Sequence, residues 1–204
     1  MNPVLVVLAA GASQRLGRTK ALVDLGGATP LQHICAAASG VLDRAPLPAL
    51  VVAGAAQAEI AARLPERCRL VVNPHPEAGR TGSVQCALRV ASGHDLCLAP
   101  VDVPLVPAEV YAALVTAWDA AGAPARGWLA PRHRETGRYG HPILVGRGLL
   151  ELLSTWSPAE PLHALRAHAQ PLLAVDVETA RICDDLDTPA DLAHLQQLAL
   201  NLRL

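Results

Sequence analysis

Val4-Leu-Val-Val-Leu-Ala-Ala-Gly-Ala-Ser-Gln-Arg-Leu-Gly-Arg-Thr-Lys20 is the stretch on which the fold turns. Its apolar start, Val4–Ala9, has the length and the β-branched content of a fully buried strand. It opens directly into a loop with Gly11 and Gly17, followed by Arg15, Arg18 and Lys20. A buried strand leading into a glycine-bearing cationic loop is how α/β proteins meet phosphate. Small residues let backbone N–H groups approach the anion, and the side chains neutralise its charge. Lys20 is the only lysine of the chain; arginine supplies every other fixed positive charge. A compact ammonium on a flexible stem suits a point contact with phosphate oxygens.

The spacing excludes two familiar loops. Walker A places four residues between its glycines and Lys-Ser/Thr directly after, whereas five separate Gly11 from Gly17 and Ala21 follows Lys20. Gly11-Ala12-Ser13 lacks the second glycine of the dinucleotide fingerprint.

Outward from this segment, strand-like and helical runs alternate. Strands are expected at 4–9, 49–53, 69–73 and 95–99, with helices at 31–42, 57–64, 83–91 and 107–121. Strand, crossover helix and strand in succession predict an α/β fold, a mainly parallel twisted sheet with helices on both faces. The second half is less regular. Strands are expected near 128–130, 142–145 and 172–177, short helices at 148–153 and 161–168, and a C-terminal helix over 188–197. No linker interrupts the 204 residues, which are read as a single domain spanning 1–204.

Composition bounds the function. A hydrophobic fraction of 51% supports a large core, and 2% aromatic residues with no phenylalanine leave it to Leu, Val, Ala and Ile. A net charge of −1 argues against nucleic acid or a membrane surface as partner. No apolar run approaches the roughly 20 residues of a membrane span, and no signal-peptide pattern is present. The expectation is a cytoplasmic protein. Cys35, Cys68, Cys86, Cys97 and Cys183 include no C-x-x-C pair, so neither a disulfide framework nor a zinc site is expected, and most should be small buried hydrophobes.

Four further places carry candidate chemistry. Asp102 lies just beyond a strand, between Pro100 and Pro104, which fix the backbone and hold the carboxylate at the strand end. A carboxylate there suits Mg²⁺, which keeps several waters and shares phosphate oxygens. In Asp184-Asp-Leu-Asp-Thr-Pro-Ala-Asp191, the Asp187/Thr188-Pro189 step starts a helix, leaving Asp184 or Asp185 free to add a second carboxylate. Asn73 ends a strand and is a candidate for ribose or base, while Ser83 opens or caps the following helix near an anion. His141, within Gly140-His-Pro142, is a candidate for orienting an acceptor. There is no G-x-S-x-G elbow and no cysteine paired with a base. A phosphate loop with scattered Asp points instead to transfer between phosphates, which needs charge neutralisation and alignment.

Leu8-Ala-Ala-Gly-Ala-Ser-Gln-Arg-Leu-Gly-Arg-Thr-Lys20 resembles the L-A-[AG]-G-x-S-x-R-M-G-x-x-K signature of the MobA-like nucleotidyltransferases. Asn73…Gly79…Ser83, Val101-Asp-Val-Pro104, Gly140-His-Pro142 and Asp185-Leu-Asp-Thr-Pro-Ala-Asp191 follow in family order. The resemblance implies a single-domain Rossmann-like fold that joins an NTP to a phosphorylated acceptor and releases pyrophosphate. It implies that the backbone of Leu8, Ala9, Ala10 and Gly11 reads the base and that Arg15 and Lys20 hold the triphosphate. Asp102 and Asp185 would hold Mg²⁺ in the same scheme. Ala10 is similar to the cytidylyl branch, which makes molybdopterin cytosine dinucleotide from CTP, where a second glycine marks the guanylyl branch. Leu16 replaces the usual methionine, and Val103 stands where the cytidylyl branch often has glutamine. The leading expectation is a Mg²⁺-dependent cytidylyltransferase acting on molybdopterin or molybdenum cofactor, with a molybdoenzyme as recipient. A nucleotidyltransferase for a sugar or polyol phosphate, a GTP-using enzyme, and a cofactor-carrying insertion chaperone are the alternatives.

Overall fold

The computed structural model describes residues 2–11 and 16–202. Its strands are β1 (Val4–Ala9), β2 (Ala49–Ala53), β3 (Cys68–Val72), β4 (Leu96–Pro100), β5 (Trp128–His133), β6 (Ile143–Val145) and β7 (Leu172–Val177). The helices are α1 (Pro30–Ala38), α2 (Gln57–Ala61), α3 (Arg80–Leu88), α4 (Ala108–Ala120), α5 (Arg147–Leu150) and α6 (Pro189–Asn201). The strands form one sheet in the order β3-β2-β1-β4-β6-β5-β7. Among the described strands only β6 runs against its neighbours, antiparallel to both β4 and β5.

Alternation along β1 explains the two-sided packing. Leu5, Val7 and Ala9 join the core under α1, α2 and α4, while Val4 and Val6 join the core under α3 and α5. With no phenylalanine available, α4 contributes the bulk: Tyr111 and Trp118 are among the largest fully buried side chains. The Trp118 Nε1–H donates to Asp95 Oδ2 (3.1 Å), and the Arg147 backbone N–H donates to Asp95 Oδ1 (2.9 Å). That buried carboxylate is therefore satisfied on both oxygens. A third, smaller cluster packs Leu16, Val23, Leu25 and Leu105 against Leu186, Leu195 and Ala199, joining the first loop to α6.

Several expected boundaries shift for local reasons. α1 stops at Ala38 rather than near 42, because Gly40 turns the chain at φ +77°. α3 begins at Arg80 with Gly79 in the cap position, so Ser83 lies inside the helix and does not cap it. The region expected as helix over 148–153 divides into the single turn of α5 and a 3₁₀ segment, Glu151–Thr155, and the helix expected at 161–168 is the 3₁₀ segment Leu162–His168. The C-terminal helix starts as expected, with Thr188 and Asp191 forming a capping box and Pro189 at its first position.

The cysteines correct one expectation. Only Cys86 and Cys97 are buried, while Cys35, Cys68 and Cys183 are half-buried. Cys35 and Cys68 bring their Sγ atoms to 3.6 Å, and the hydrogen bond from Cys35 holds the Cys68 thiol below its usual range. No described helix is long and apolar enough to cross a membrane.

Candidate active site

The strand order reverses direction beside β1. The chain moves from β1 outward to β2 and β3, then returns to lay β4 on the other flank. In open α/β sheets such a reversal leaves a crevice at the carboxyl ends of the strands. Here Leu8 is in register with Pro100, and the Val101 N–H donates to the Leu8 carbonyl (3.1 Å). The loop starting at Ala10-Gly11 and the segment bearing Asp102 therefore leave the sheet side by side.

A cleft of about 230 Å³ occupies this position, lined by Leu8, Ala10, Gly11, Lys20, Ser83 and Asp102 with Arg80 and Gly79. Five residues singled out from the sequence for the nucleotide (Leu8, Ala10, Gly11, Lys20, Ser83) thus meet at one place, with Asp102 beside them. Ala9 does not line the cleft; it points into the core under α1 and α4. Asn73 is buried behind the cleft wall. Its Nδ2 donates to Ser83 Oγ (3.1 Å) and its Oδ1 accepts from the His75 backbone N–H (2.9 Å), so its amide fixes Ser83 and the following turn. Arg15 lies outside the described residues.

Gly54 at the end of β2 completes this wall. A Cβ there would lie 2.7 Å from the Ala10 carbonyl oxygen and 2.8 Å from Pro76. Only glycine lets the 76–78 turn close against the Ala10 backbone. No residue type signals that role in isolation, so the sequence alone does not reveal it.

Lys20 opens the short 3₁₀ segment Lys20–Leu22, and its side chain is only 14% exposed. It pairs with Asp187 at the start of α6, across 167 positions of sequence. The segment that follows β1 is thereby tied to the C-terminal helix. Asp187 carries this pairing in addition to its place beside the helix cap, where Asp191 Oδ2 accepts from the N–H groups of Asp187 (3.0 Å) and Thr188 (2.7 Å).

Asp102 has two unlike oxygens. Oδ2 accepts from Arg80 Nη2 at 2.9 Å, while Oδ1 is buried and has no partner. Its backbone carbonyl accepts from the Leu186 N–H (2.7 Å), which draws the 184–187 segment against it. Burial first, then the charges of Asp102 and Asp187, push the Asp185 carboxyl above the usual range. Two carboxylates held together with one orphaned buried oxygen fit a divalent cation, whose charge would remove both penalties. Among the described residues no group of three or more His, Cys, Asp or Glu is gathered to hold a metal. Such a cation would therefore take its remaining ligands from water and phosphate, as Mg²⁺ commonly does.

His141 lies in a neighbouring cleft of about 410 Å³ that shares Gly79 and Arg80 with the first. Gly140 is required next to it, because a Cβ there would collide with the Ile182 carbonyl. The same close approach lets the His141 N–H donate to that carbonyl at 2.9 Å. Burial, reinforced by the positive charge of Arg80, pushes the His141 imidazole down to about 4, so the ring is neutral at pH 7. Arg80 links both clefts. Its sequence signal was the glycine-flanked Gly79-Arg80-Thr81-Gly82, a cation at a helix start.

The fold has close counterparts among solved structures. A Mycobacterium sp. strain JC1 homologue of Mycobacterium tuberculosis rv0371c is 25% identical, with TM-score 0.77 over 98% of this chain and 97% of that one. A molybdopterin-guanine dinucleotide biosynthesis protein A from Archaeoglobus fulgidus is 19% identical, with TM-score 0.71 over 97% and 98%. CMP:2-keto-3-deoxy-manno-octonic acid synthetase complexed with CTP is 17% identical, with TM-score 0.73 over 100% of both chains. No curated protein matches the chain in sequence. Matched over residues 5–174 by the MobA-like NTP transferase domain, the chain belongs to that family and is a nucleotidyltransferase.

Proposed function

We propose that this protein is a Mg²⁺-dependent cytidylyltransferase that transfers CMP from CTP to the phosphate of molybdopterin or molybdenum cofactor, releasing pyrophosphate. The observation that carries the reading is the meeting of Ala10-Gly11, Lys20 and Asp102 at the ends of β1 and β4, next to a second cleft that shares Arg80. Residues 1–204 work in this reading as one catalytic domain, in the cytoplasm, and the product passes to a molybdoenzyme. The neighbours lend support: one is a molybdopterin-guanine dinucleotide biosynthesis protein and another is complexed with CTP.

The reaction joins an acceptor phosphate oxygen to the α-phosphorus of CTP and breaks the bond to the β-phosphate, which leaves as pyrophosphate. The second pKa of a phosphomonoester is near 6, so the attacking oxygen is already ionised at neutral pH and needs no general base. A neutral His141 agrees with that. The backbone of residues 8–11 borders the base, and Lys20 offsets charge on the triphosphate, with Arg15 as its partner in this scheme. Arg80, at the junction of the clefts, is placed to meet the acceptor phosphate as it approaches. Asp102 and Asp185 would hold Mg²⁺, which when bound neutralises phosphate charge and aligns attacking and leaving oxygens.

Base choice is directly testable. Ala10 is buried and borders the cleft, and in this reading its methyl group narrows the space where a purine would lie. CTP with Mg²⁺ is expected to raise the melting temperature about 3–5 °C more than equal GTP, the effect of a roughly tenfold affinity difference in a chain of this size. Ala10→Gly is expected to shrink that gap. Stronger stabilisation of the wild type by GTP would reject the cytidylyl assignment, and pyrophosphate release measured with each NTP would then identify the nucleotide.

A further inference from the structure

Cys35 in α1 and Cys68 at the head of β3 stand 33 positions apart in sequence, yet their Sγ atoms meet at 3.6 Å. The backbone on both sides is fixed. The Ser39 N–H donates to the Cys35 carbonyl (3.0 Å), and the Cys68 N–H donates to the Pro65 carbonyl (3.2 Å), closing the turn that starts β3. Arg67 in that turn has φ +63°, a left-handed conformation that residues other than glycine seldom adopt. From this contact to the roughly 2 Å of a disulfide bond is a step of about 1.5 Å, the scale of a side-chain rotation.

The other three cysteines sit differently. Cys97 and Cys86 are buried in the cores on opposite faces of the sheet, and burial pushes the Cys97 thiol up. The Cys183 Sγ donates to the Tyr139 carbonyl (3.6 Å). Cys35 and Cys68 are both half-buried and share the wall of an open cleft of about 300 Å³ with Leu5, Asp43, Ala49 and Arg67, which gives a small solute access to them. Leu5 and Ala49 belong to the starts of β1 and β2. The pair therefore lies at the opposite end of the sheet from the cleft that holds Lys20 and Asp102.

The two thiols are also unequal. The hydrogen bond from Cys35 holds the Cys68 thiol down, while the same bond and burial push the Cys35 thiol up. A thiolate is the nucleophile in thiol oxidation, so Cys68 is the attacking sulfur and Cys35 the resolving one. We propose that Cys35 and Cys68 form a reversible redox site that reduces a hydroperoxide and closes into a disulfide, stapling α1 to β3. With hydrogen peroxide, Cys68 takes one oxygen as the O–O bond breaks, giving a sulfenic acid and one water. The Cys35 thiol then attacks that sulfur, the S–S bond forms, the S–O bond breaks and a second water leaves. Two thiols are oxidised and one peroxide is reduced to two waters. A dithiol reductant reverses the bridge by exchange.

The test reads sulfur chemistry and is independent of nucleotidyl transfer. The reduced full chain, freed of reductant, is treated with a small excess of hydrogen peroxide, alkylated in denaturant and weighed by mass spectrometry. Three of the five cysteines are expected to remain alkylatable, with a peptide linking Cys35 to Cys68, and dithiothreitol should restore all five. A bridge across 33 positions restricts the unfolded chain, so the oxidised form is expected to melt at least about 5 °C higher than the reduced one. Cys35→Ser keeps a hydrogen-bond donor beside Cys68 but cannot resolve its sulfenic acid, so dimedone should label Cys68 in that variant. Five alkylatable thiols after peroxide, a bridge between other cysteines or between chains, dimedone label confined to other cysteines, or an oxidised form that melts no higher than the reduced one would overturn the proposal.

Discussion

Asp102→Asn is expected to lower pyrophosphate release by about two to three orders of magnitude, the scale of losing one preorganised charge-stabilising group. It should also raise the Mg²⁺ concentration needed for half-maximal rate. The physical reason lies in the two oxygens. Oδ2 is committed to Arg80, whereas Oδ1 is buried and unpartnered, an arrangement that suits a cation. An asparagine can keep the Arg80 contact through its carbonyl oxygen but brings no negative charge. Folding should be little affected, since removing the charge also relieves Asp185, whose carboxyl the neighbouring Asp102 helps to push up. The melting temperature should therefore stay within about 2 °C of wild type, a change of less than roughly 1 kcal/mol. Assays over a Mg²⁺ series with purified variant decide it. An unchanged Mg²⁺ dependence would move the cation to other residues.

The half of the molecule that builds the cleft at the ends of β1 and β4 was legible because its signals are local. Val4–Ala9 is a continuous apolar run, Gly11 and Gly17 mark the loop that follows it, and Pro100 and Pro104 bracket Asp102. Alternating strands and helices then leave little choice of topology, since each crossover must return right-handed to the same sheet. What was not legible depends on long-range approach. The Lys20–Asp187 pair spans 167 residues, and Asp187 reads locally as helix-start chemistry. Asn73 reads as a ligand contact at a strand end, yet its amide is spent on Ser83 and His75. Ser83 itself has the composition of a cap, but Gly79 at φ +123° lets α3 start one turn earlier. Arg166 sits in a 3₁₀ segment with no motif, and only the folded chain brings it over Tyr139. The antiparallel β6 is three residues long, too short for periodicity to give its direction.

Lys20→Ala is expected to reduce turnover by about two to three orders of magnitude, and, unlike Asp102→Asn, to cost stability as well. A surface lysine in a loop would change folding by under about 0.5 kcal/mol. Lys20 is not such a residue: its side chain is 14% exposed and it pairs with Asp187, which is 31% exposed. Removing one partner of a half-buried pair weakens the compensation of the remaining carboxylate, so a loss of about 1 kcal/mol, or roughly 2–4 °C in melting temperature, is expected. The activity loss could then be attributed to a loosened junction between the phosphate loop and α6, and Asp187→Asn separates the two causes. That variant breaks the ion pair from the other side and keeps the ammonium facing the cleft. It should lower the melting temperature by a similar amount while costing at most about a tenfold loss of turnover. Equal loss of activity in the two variants would assign Lys20 to holding the loop in place, whereas a large gap between them ties the lysine charge to the triphosphate.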